Sequence, residues 1–424
     1  MPEDSHPFKI ILVKDSENGG CLLSLREIVA IPGIKPVLLT LFLTAMGFGI
    51  ILPLLPFYAL SLGAKPIELG LLTATFAAMQ LIFSPFFGKL ADKIGRKKVL
   101  LLGTAGFTLA YLVFAFATTF WMAVLARAIE GFFAAGIFPA SISLLSDFTS
   151  PKQRGEAMGL LGMTFSMGFI FGPAFGGFAS SFSVHHAFFG AAVFSTLNFF
   201  WIFLRLKEPV EKEESREIVE QEVSLLSHLS SPLALLFVSS MMITFMIGGI
   251  EATLALFTHE TLGFSTTDLG LIFTYVGVLI MAMQFIGGTL VNRFGEVRLI
   301  QAGLLLSAAG FFLIGFATDW VSLLVPLAIF VAGNASVFPA VTSLITKRVQ
   351  GKAGAILGLN NSFSALGQII GPLLGGFLFG LDHHWSFWGM AGIVIVYFLV
   401  FSMVAGKKLL PSEFNPNIFD SPEP

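Results

Sequence analysis

The chain has 424 residues, of which 55% are hydrophobic and only 12% charged, with 24 Lys+Arg against 26 Asp+Glu for a formal net charge of −2. Adding the 44 Gly lifts the apolar share to about two-thirds, against about 45–50% for a soluble domain counted the same way. So few charges cannot cover a water-soluble surface, which excludes an ordinary cytosolic enzyme and a nucleic-acid binder with a basic face. The single cysteine, Cys21, excludes a disulfide framework and a Cys-based metal site.

In chain order, residues 1–35 form a tail whose scattered charges (Lys9, Asp15, Glu17, Arg26, Glu27) do not fit a cleaved signal peptide. Six apolar runs follow, near 36–60, 69–88, 98–118, 121–145, 156–180 and 187–206. Residues 207–233 interrupt them with seven Glu and three Lys/Arg, a block that reads as an acidic, solvated linker. Six further runs lie near 234–258, 268–290, 299–317, 321–345, 353–379 and 386–406, and a tail of 407–424 closes the chain. A helix needs roughly 20 apolar residues to cross a bilayer, so the pattern predicts twelve transmembrane helices in two bundles, 36–206 and 234–406. Strand-like alternation is absent, which argues against a β-barrel.

The cations fix an orientation. With the N-terminus placed inside, every Lys and Arg falls in a tail or an inside loop except Lys65, in an outside loop, and Arg127, within a span. Lys and Arg favour the cytoplasmic side, so both termini are expected to be cytoplasmic.

The chain also repeats itself at an offset of 200. Thr44, Met46, Gly49 and Ile50 recur as Thr244, Met246, Gly249 and Ile250, and Phe138-Pro139-Ala140 recurs as Phe338-Pro339-Ala340. One residue of slippage later, Gly168, Gly172, Pro173 and Gly176 recur as Gly367, Gly371, Pro372 and Gly375. Six spans separate the copies, so both halves enter from the same side, as in transporters that rock two parallel-repeat bundles about a central site.

Gly88-Lys-Leu-Ala-Asp92-Lys-Ile-Gly95-Arg96 between the second and third spans resembles the signature loop of the major facilitator superfamily. A weaker copy follows at Gly288, Asn292, Arg293 and Gly295. Arg127-x2-Glu130-Gly131 resembles that superfamily's fourth-span arginine motif. Gly168 to Gly177 resembles the fifth-span motif of its proton-coupled exporters, and Gly49 to Pro56 the first-span ending of its drug:proton antiporters. The resemblance implies the major facilitator fold, alternating access and a proton gradient as energy source, with no cofactor. It also implies that an Asp92 latch, beside Arg96 or a helix N-terminus, shuts the cytoplasmic side in the outward-facing state. The plainer reading of this loop is a basic anchor. Gly88 and Gly95 are expected to permit a tight turn at the membrane edge. Gly168, Gly172 and Gly176 lie four apart on one helical face, which suits close helix packing, and Pro173 suits a bend. Because Gly367, Gly371 and Pro372 repeat the pattern, it speaks for duplication more than for export direction.

Only Arg127, Glu130 and Glu251 are ionisable and lie well inside a span, where charges are costly and functional by default. All three are expected at similar depth in the outer half, on spans that line the central cavity in the resembling family. Arg127 and Glu130 can meet at i,i+3, either as a structural ion pair or as partners that exchange during turnover. Glu251 has no local cation, which suits either a carboxylate alternating between proton and substrate cation or a neutral, hydrogen-bonded Glu. Tyr58, Phe138, Met242, Met246, Tyr275 and Gln284 are candidate cavity-lining residues. A large apolar pocket with one net negative charge suits lipophilic, often cationic compounds. Asn334, Asn360, Asn361 and Gln368 keep a facilitator or symporter for a small metabolite open as the alternative. His185-His186 and His383-His384 read as wet loop residues inherited through duplication. No cluster of His, Asp or Cys within the spans suggests an enzyme or a metal site. The expected partners are therefore a lipid bilayer, a small lipophilic substrate and protons. The chain is expected to act as a monomer, without nucleic acid, in a bacterial inner membrane.

Overall fold

A computed structural model describes residues 25–31, 33–150, 153–208, 233–348 and 353–408. Residues 1–24 and 409–424 of the tails, and 209–232 of the acidic linker, lie outside the described residues. The helices are α1 (Leu25–Ala30), α2 (Ile34–Ile51), α3 (Leu55–Ser61), α4 (Pro66–Ile94), α5 (Arg96–Phe116), α6 (Phe120–Phe148), α7 (Arg154–Ser180) and α8 (Val184–Arg205), then α9 (Leu233–Leu262), α10 (Thr266–Phe294), α11 (Glu296–Ile314), α12 (Trp320–Arg348), α13 (Ala353–Leu381) and α14 (Trp385–Lys408). Twelve of them are long and apolar enough to span a bilayer. Their outward faces carry large apolar side chains such as Phe116, Trp121, Phe200 and Val321, as lipid contact demands.

Two expectations are corrected. The first span does not run unbroken over 36–60: it divides into α2 and α3 at Leu52–Leu54. Pro53 in that turn has no N–H to continue the helical ladder, and Pro56 restarts it in the first turn of α3. Gly88 is not in a turn either; it lies inside α4. The turn from α4 to α5 rests on Gly95 alone, at φ 96°, and its copy Gly295 makes the equivalent turn at φ 77°.

The repeat is visible in the helix boundaries, since α4, α5 and α6 begin at residues 66, 96 and 120 and α10, α11 and α12 at 266, 296 and 320. Small residues set the tight contacts inside each bundle. Gly168, Gly172 and Gly176 face α2 so closely that an added Cβ would meet the Ile50 carbonyl at 2.3 Å from Gly176 and the Met46 carbonyl at 2.6 Å from Gly172. Gly367 and Gly371 face α9 in the same manner, at 2.3 Å from the Met241 carbonyl and 2.1 Å from the Phe245 carbonyl.

The bundles meet through α7 against α10 and α4 against α13, at the end carrying the 62–65 and 263–265 turns. We call this the far end, and the end carrying Lys89–Lys98 and Lys347–Arg348 the basic end. At the far end Gly177 faces Gly270 and Gly376 faces Gly70, with a Cβ on Gly177 reaching the Gly270 Cα at 3.2 Å. A Cβ on Gly70 would lie 2.2 Å from the Pro372 carbonyl. Ser180 Oγ donates to Thr266 Oγ1 at 2.9 Å, and Thr274 Oγ1 to the Ile170 carbonyl at 3.2 Å. Eighteen residues along each of these four helices, about five turns and so on the same face, lie Gly159, Gly288, Gly358 and Gly88. Among the described residues, a Cβ on any of these would have nothing within 4 Å. The faces that seal the far end therefore stand apart at the basic end.

Candidate functional site

The N-terminal bundle buries an ion pair. Helix α6 places Arg127 and Glu130 three residues apart, and Arg127 Nη1 lies 2.7 Å from Glu130 Oε2. The side chains are 2% and 0% exposed. The guanidinium sits over Phe76 of α4 at 4.7 Å and Phe48 of α2 at 5.4 Å from the ring centroids, both within cation–π range. A Cβ on Gly131 would meet the Phe76 carbonyl at 2.4 Å, so this glycine lets α4 come close enough to cover the pair. Arg127 Nε and Glu130 Oε1 have no hydrogen-bond partner. The expectation that this pair lines the cavity is thus corrected. Neighbouring helices cover it on every side, because Phe rings on α2 and α4 can solvate a planar cation where water is absent.

Glu251 on α9 differs. It is partly exposed and makes no hydrogen bond or ion pair among the described residues. Arg127 lies within its electrostatic reach across the bundle boundary. A half-buried carboxylate with no local partner and a cation within electrostatic reach can exchange a proton or meet a ligand cation without first breaking a local bond.

The other cavity candidates divide. Tyr58 is buried in the N-terminal bundle, where its hydroxyl donates to the Phe114 and Ala117 carbonyls at 2.8 and 2.7 Å, so it fastens α3 to the end of α5. Met242 and Met246 are 7% and 0% exposed in the α9 core. These three do not line an open cavity: α9 is covered on several sides, and a Tyr finding bare carbonyls at a helix end bonds to them. Phe138 and Gln284 are exposed and Tyr275 is half-buried, with its hydroxyl 3.4 Å from the Leu324 carbonyl. Gln284 reaches across the boundary to 3.6 Å from where a Cβ on Gly162 would stand. Among the polar residues that kept a metabolite open, Asn334 spends its amide on the Ile243 carbonyl at 3.0 Å and Asn360 is buried. Asn361 is exposed and Gln368 half-buried.

In the signature loop, Arg96 pairs with Asp147 at the end of α6, and Asp92 is exposed with no partner. Among the described residues Asp92 meets neither Arg96 nor a helix N-terminus, at the end where the two bundles stand apart. The N-terminus of α5 is capped instead by Glu208, which accepts from the Arg96 amide at 2.7 Å and the Lys97 amide at 3.1 Å. Asp147 and Glu208 were not singled out from sequence, although the acid-rich stretch after span six held Glu208 in view. His185 and His384 are not free in wet loops. Their Nδ1 atoms bond the Ala115 and Gly315 carbonyls at 2.9 and 2.7 Å, copies of one staple. No group of three or more His, Cys, Asp or Glu among the described residues could hold a metal.

These features recur outside this chain. The family model of the Major Facilitator Superfamily matches residues 37–295 and 236–417. The chain belongs to the major facilitator superfamily. This superfamily member is 32% identical over 383 residues to multidrug resistance protein 2 of Bacillus subtilis, a match covering 88% of the chain and 94% of the relative. It is 34% identical over 356 residues to the class B tetracycline resistance protein of Escherichia coli, covering 80% and 86%. Among solved structures, the human organic anion transporter MFSD10 superposes with TM-score 0.66 at 25% identity, over 87% of this chain and 98% of that one. The nucleoside transporter NupG superposes with TM-score 0.75 at 15% identity over 87% and 98%, a likeness of fold alone.

Proposed function

We propose that this protein is a secondary transporter that exports lipophilic, often cationic compounds in exchange for protons, by alternating access, across a bacterial inner membrane. The reading rests on one observation above others. Glycine faces seal the far end and the same faces, five turns along, stand open at the basic end. Rocking 36–206 against 234–406 would bring Gly88 towards Gly358 and Gly159 towards Gly288 while parting Gly70 from Gly376. With both termini cytoplasmic, as the Lys and Arg distribution supports, the state described is open to the cell interior. Glu251 is the residue we assign to proton and substrate exchange. Glu251 is half-buried and makes no bond of its own among the described residues, and Arg127 supplies the nearby cation that keeps the pocket from holding a second proton or cation at once. Phe138, Tyr275 and Gln284 supply apolar and polar contact surface. The relatives' names support drug-like substrates, and the spending of the Asn334 amide on the Ile243 carbonyl leaves the pocket poorer in polar groups for a metabolite.

Everted membrane vesicles test this. With an acidified lumen they should accumulate a lipophilic cationic dye, and dissipating the proton gradient should stop it. Glu251→Gln should lower proton-driven accumulation by at least about tenfold while leaving downhill dye movement. Retained uphill accumulation with a normal pH response would remove Glu251 from the mechanism. Uptake of a polar solute by intact cells, with no dye accumulation, would favour the metabolite facilitator.

A further inference from the structure

The duplicate half offers a control for every side chain near the buried ion pair. The counterparts of Arg127 and Glu130 are Leu327 and Phe330, and those of Gly47 and Tyr111 are Ile247 and Phe311. All four C-terminal residues are apolar, and Phe311 packs directly on Phe330 with ring centroids 5.6 Å apart. In the N-terminal bundle the same slot between α5 and α6 holds Tyr111 and Glu130. Tyr111 is fully buried, and its hydroxyl has no hydrogen-bond partner among the described residues. A phenylalanine fills the equivalent slot without that unmet group, so packing does not account for the oxygen.

The surroundings of the hydroxyl say what it serves. It lies 3.1 Å from where a Cβ on Gly47 would stand, in the space this glycine leaves open. The next residue of α2, Phe48, lies under the Arg127 guanidinium. Glu130 and Arg127 are the charged groups that act on Tyr111. Of the other ionisable groups on the packed helices, Lys35 of α2, His186 and Arg205 of α8 and Glu68, Lys89, Asp92 and Lys93 of α4 lie near helix ends, whereas His185 of α8 bonds the Ala115 carbonyl one turn beyond Tyr111, and Tyr58 of α3 bonds the Phe114 carbonyl. Three unmet polar atoms thus share one sealed, apolar region: Tyr111 Oη, Glu130 Oε1 and Arg127 Nε. The phenol can both donate and accept, and the other two are an acceptor and a donor.

We infer that Tyr111 is a positioning residue of the proton-coupling site: its hydroxyl donates to Glu130 Oε1 when Arg127 turns towards Glu251, and so holds the Glu130 carboxylate in place while its cation is engaged elsewhere. This rests on the antiport reading above. Without such a donor, Arg127 could leave Glu130 only by stranding a buried carboxylate. The Tyr111 hydroxyl makes the exchange of partners possible inside a site that water does not enter.

The test uses the full-length protein in proteoliposomes. Tyr111→Phe copies the residue of the duplicate slot and should fold with an unchanged thermal midpoint. The pH at half-maximal antiport should move by about half a unit or more, because the relative stability of the two Arg127 partners changes. Gly47→Ala, which crowds the hydroxyl, should move it as well, and the mirror change Phe311→Tyr should not. In a Glu130→Gln background Tyr111→Phe should add nothing. An unmoved pH profile in Tyr111→Phe, or an additive effect on Glu130→Gln, overturns the inference. A normal pH response in Glu251→Gln would instead overturn the antiport reading, so the two failures are separable.

Discussion

At the basic end the two bundles carry the same ion pair with opposite polarity. In the N-terminal bundle the cation Arg96 opens α5 and the anion Asp147 ends α6. Two hundred residues on, the anion Glu296 opens α11 and the cation Lys347 ends α12, 2.5 Å apart, with Ser343 donating to the same carboxylate at 2.9 Å. A helix N-terminus is positive and a C-terminus negative, so both C-terminal charges sit where the dipoles favour them and both N-terminal charges sit where they do not. The N-terminal copy borrows its anion: Glu208, from the segment that leaves α8, caps α5. We read the C-terminal pair as a fixed strap and the N-terminal pair, whose loop carries the exposed Asp92, as a releasable catch.

That contrast can be broken in graded ways. The largest effect should come from the seal that both halves share. Gly70→Val or Gly270→Val puts carbons where backbone already stands, 2.2 Å from the Pro372 carbonyl and 2.7 Å from the Pro173 carbonyl. Either should hold the far end open, with dye transport lost and a cysteine near Gly177 newly labelled from outside the cell. Next comes Asp92→Asn, which should slow turnover several-fold while membrane insertion, read by expression and topology, is unaffected. Unchanged turnover would leave the loop a basic anchor. Exchanging polarity with Arg96→Glu plus Asp147→Lys should make the catch resemble the strap. Each charge then gains about 0.3–1 kcal/mol from its helix dipole. The thermal midpoint should rise by about 2 °C, while turnover falls; faster turnover would refute the catch. The smallest effect is Glu208→Gln. It removes a charged cap worth about 1 kcal/mol from an exposed helix end and should lower the midpoint by a degree or two, with high salt masking part of the difference.

Much of this was legible in the sequence, for physical reasons. Bilayer thickness fixes span length, so twelve runs became twelve helices whose ends differ from expectation by a few residues. The first span misled because its apolar run continued through Pro53, and hydropathy is blind to a missing N–H. The Gly168 and Gly367 faces were readable from their spacing, since four residues return a helix to the same side. The cavity candidates were less so. Tyr58, Met242 and Met246 sit on spans that do line an interface, but rotation about the helix axis turns them into the core. The pairs Arg96–Asp147 and Glu296–Lys347 were both present at the repeat offset, and only their inverted charges concealed that they correspond.

The sequence by itself determined the solvent, the count of crossings, the duplication and the three charges that a membrane would not carry without use. Those follow from local properties: apolar length, repeat offset and the cost of a buried charge. Which of the three charges is sealed and which accessible was decided only by tertiary packing. Phe48 and Phe76 come from two other helices to cover Arg127, which is bonded to Glu130, while Glu251 is half-buried and makes no ion pair among the described residues. The open end was likewise a matter of packing, because glycines of identical chemistry on one face touch backbone at the far end and open space at the other.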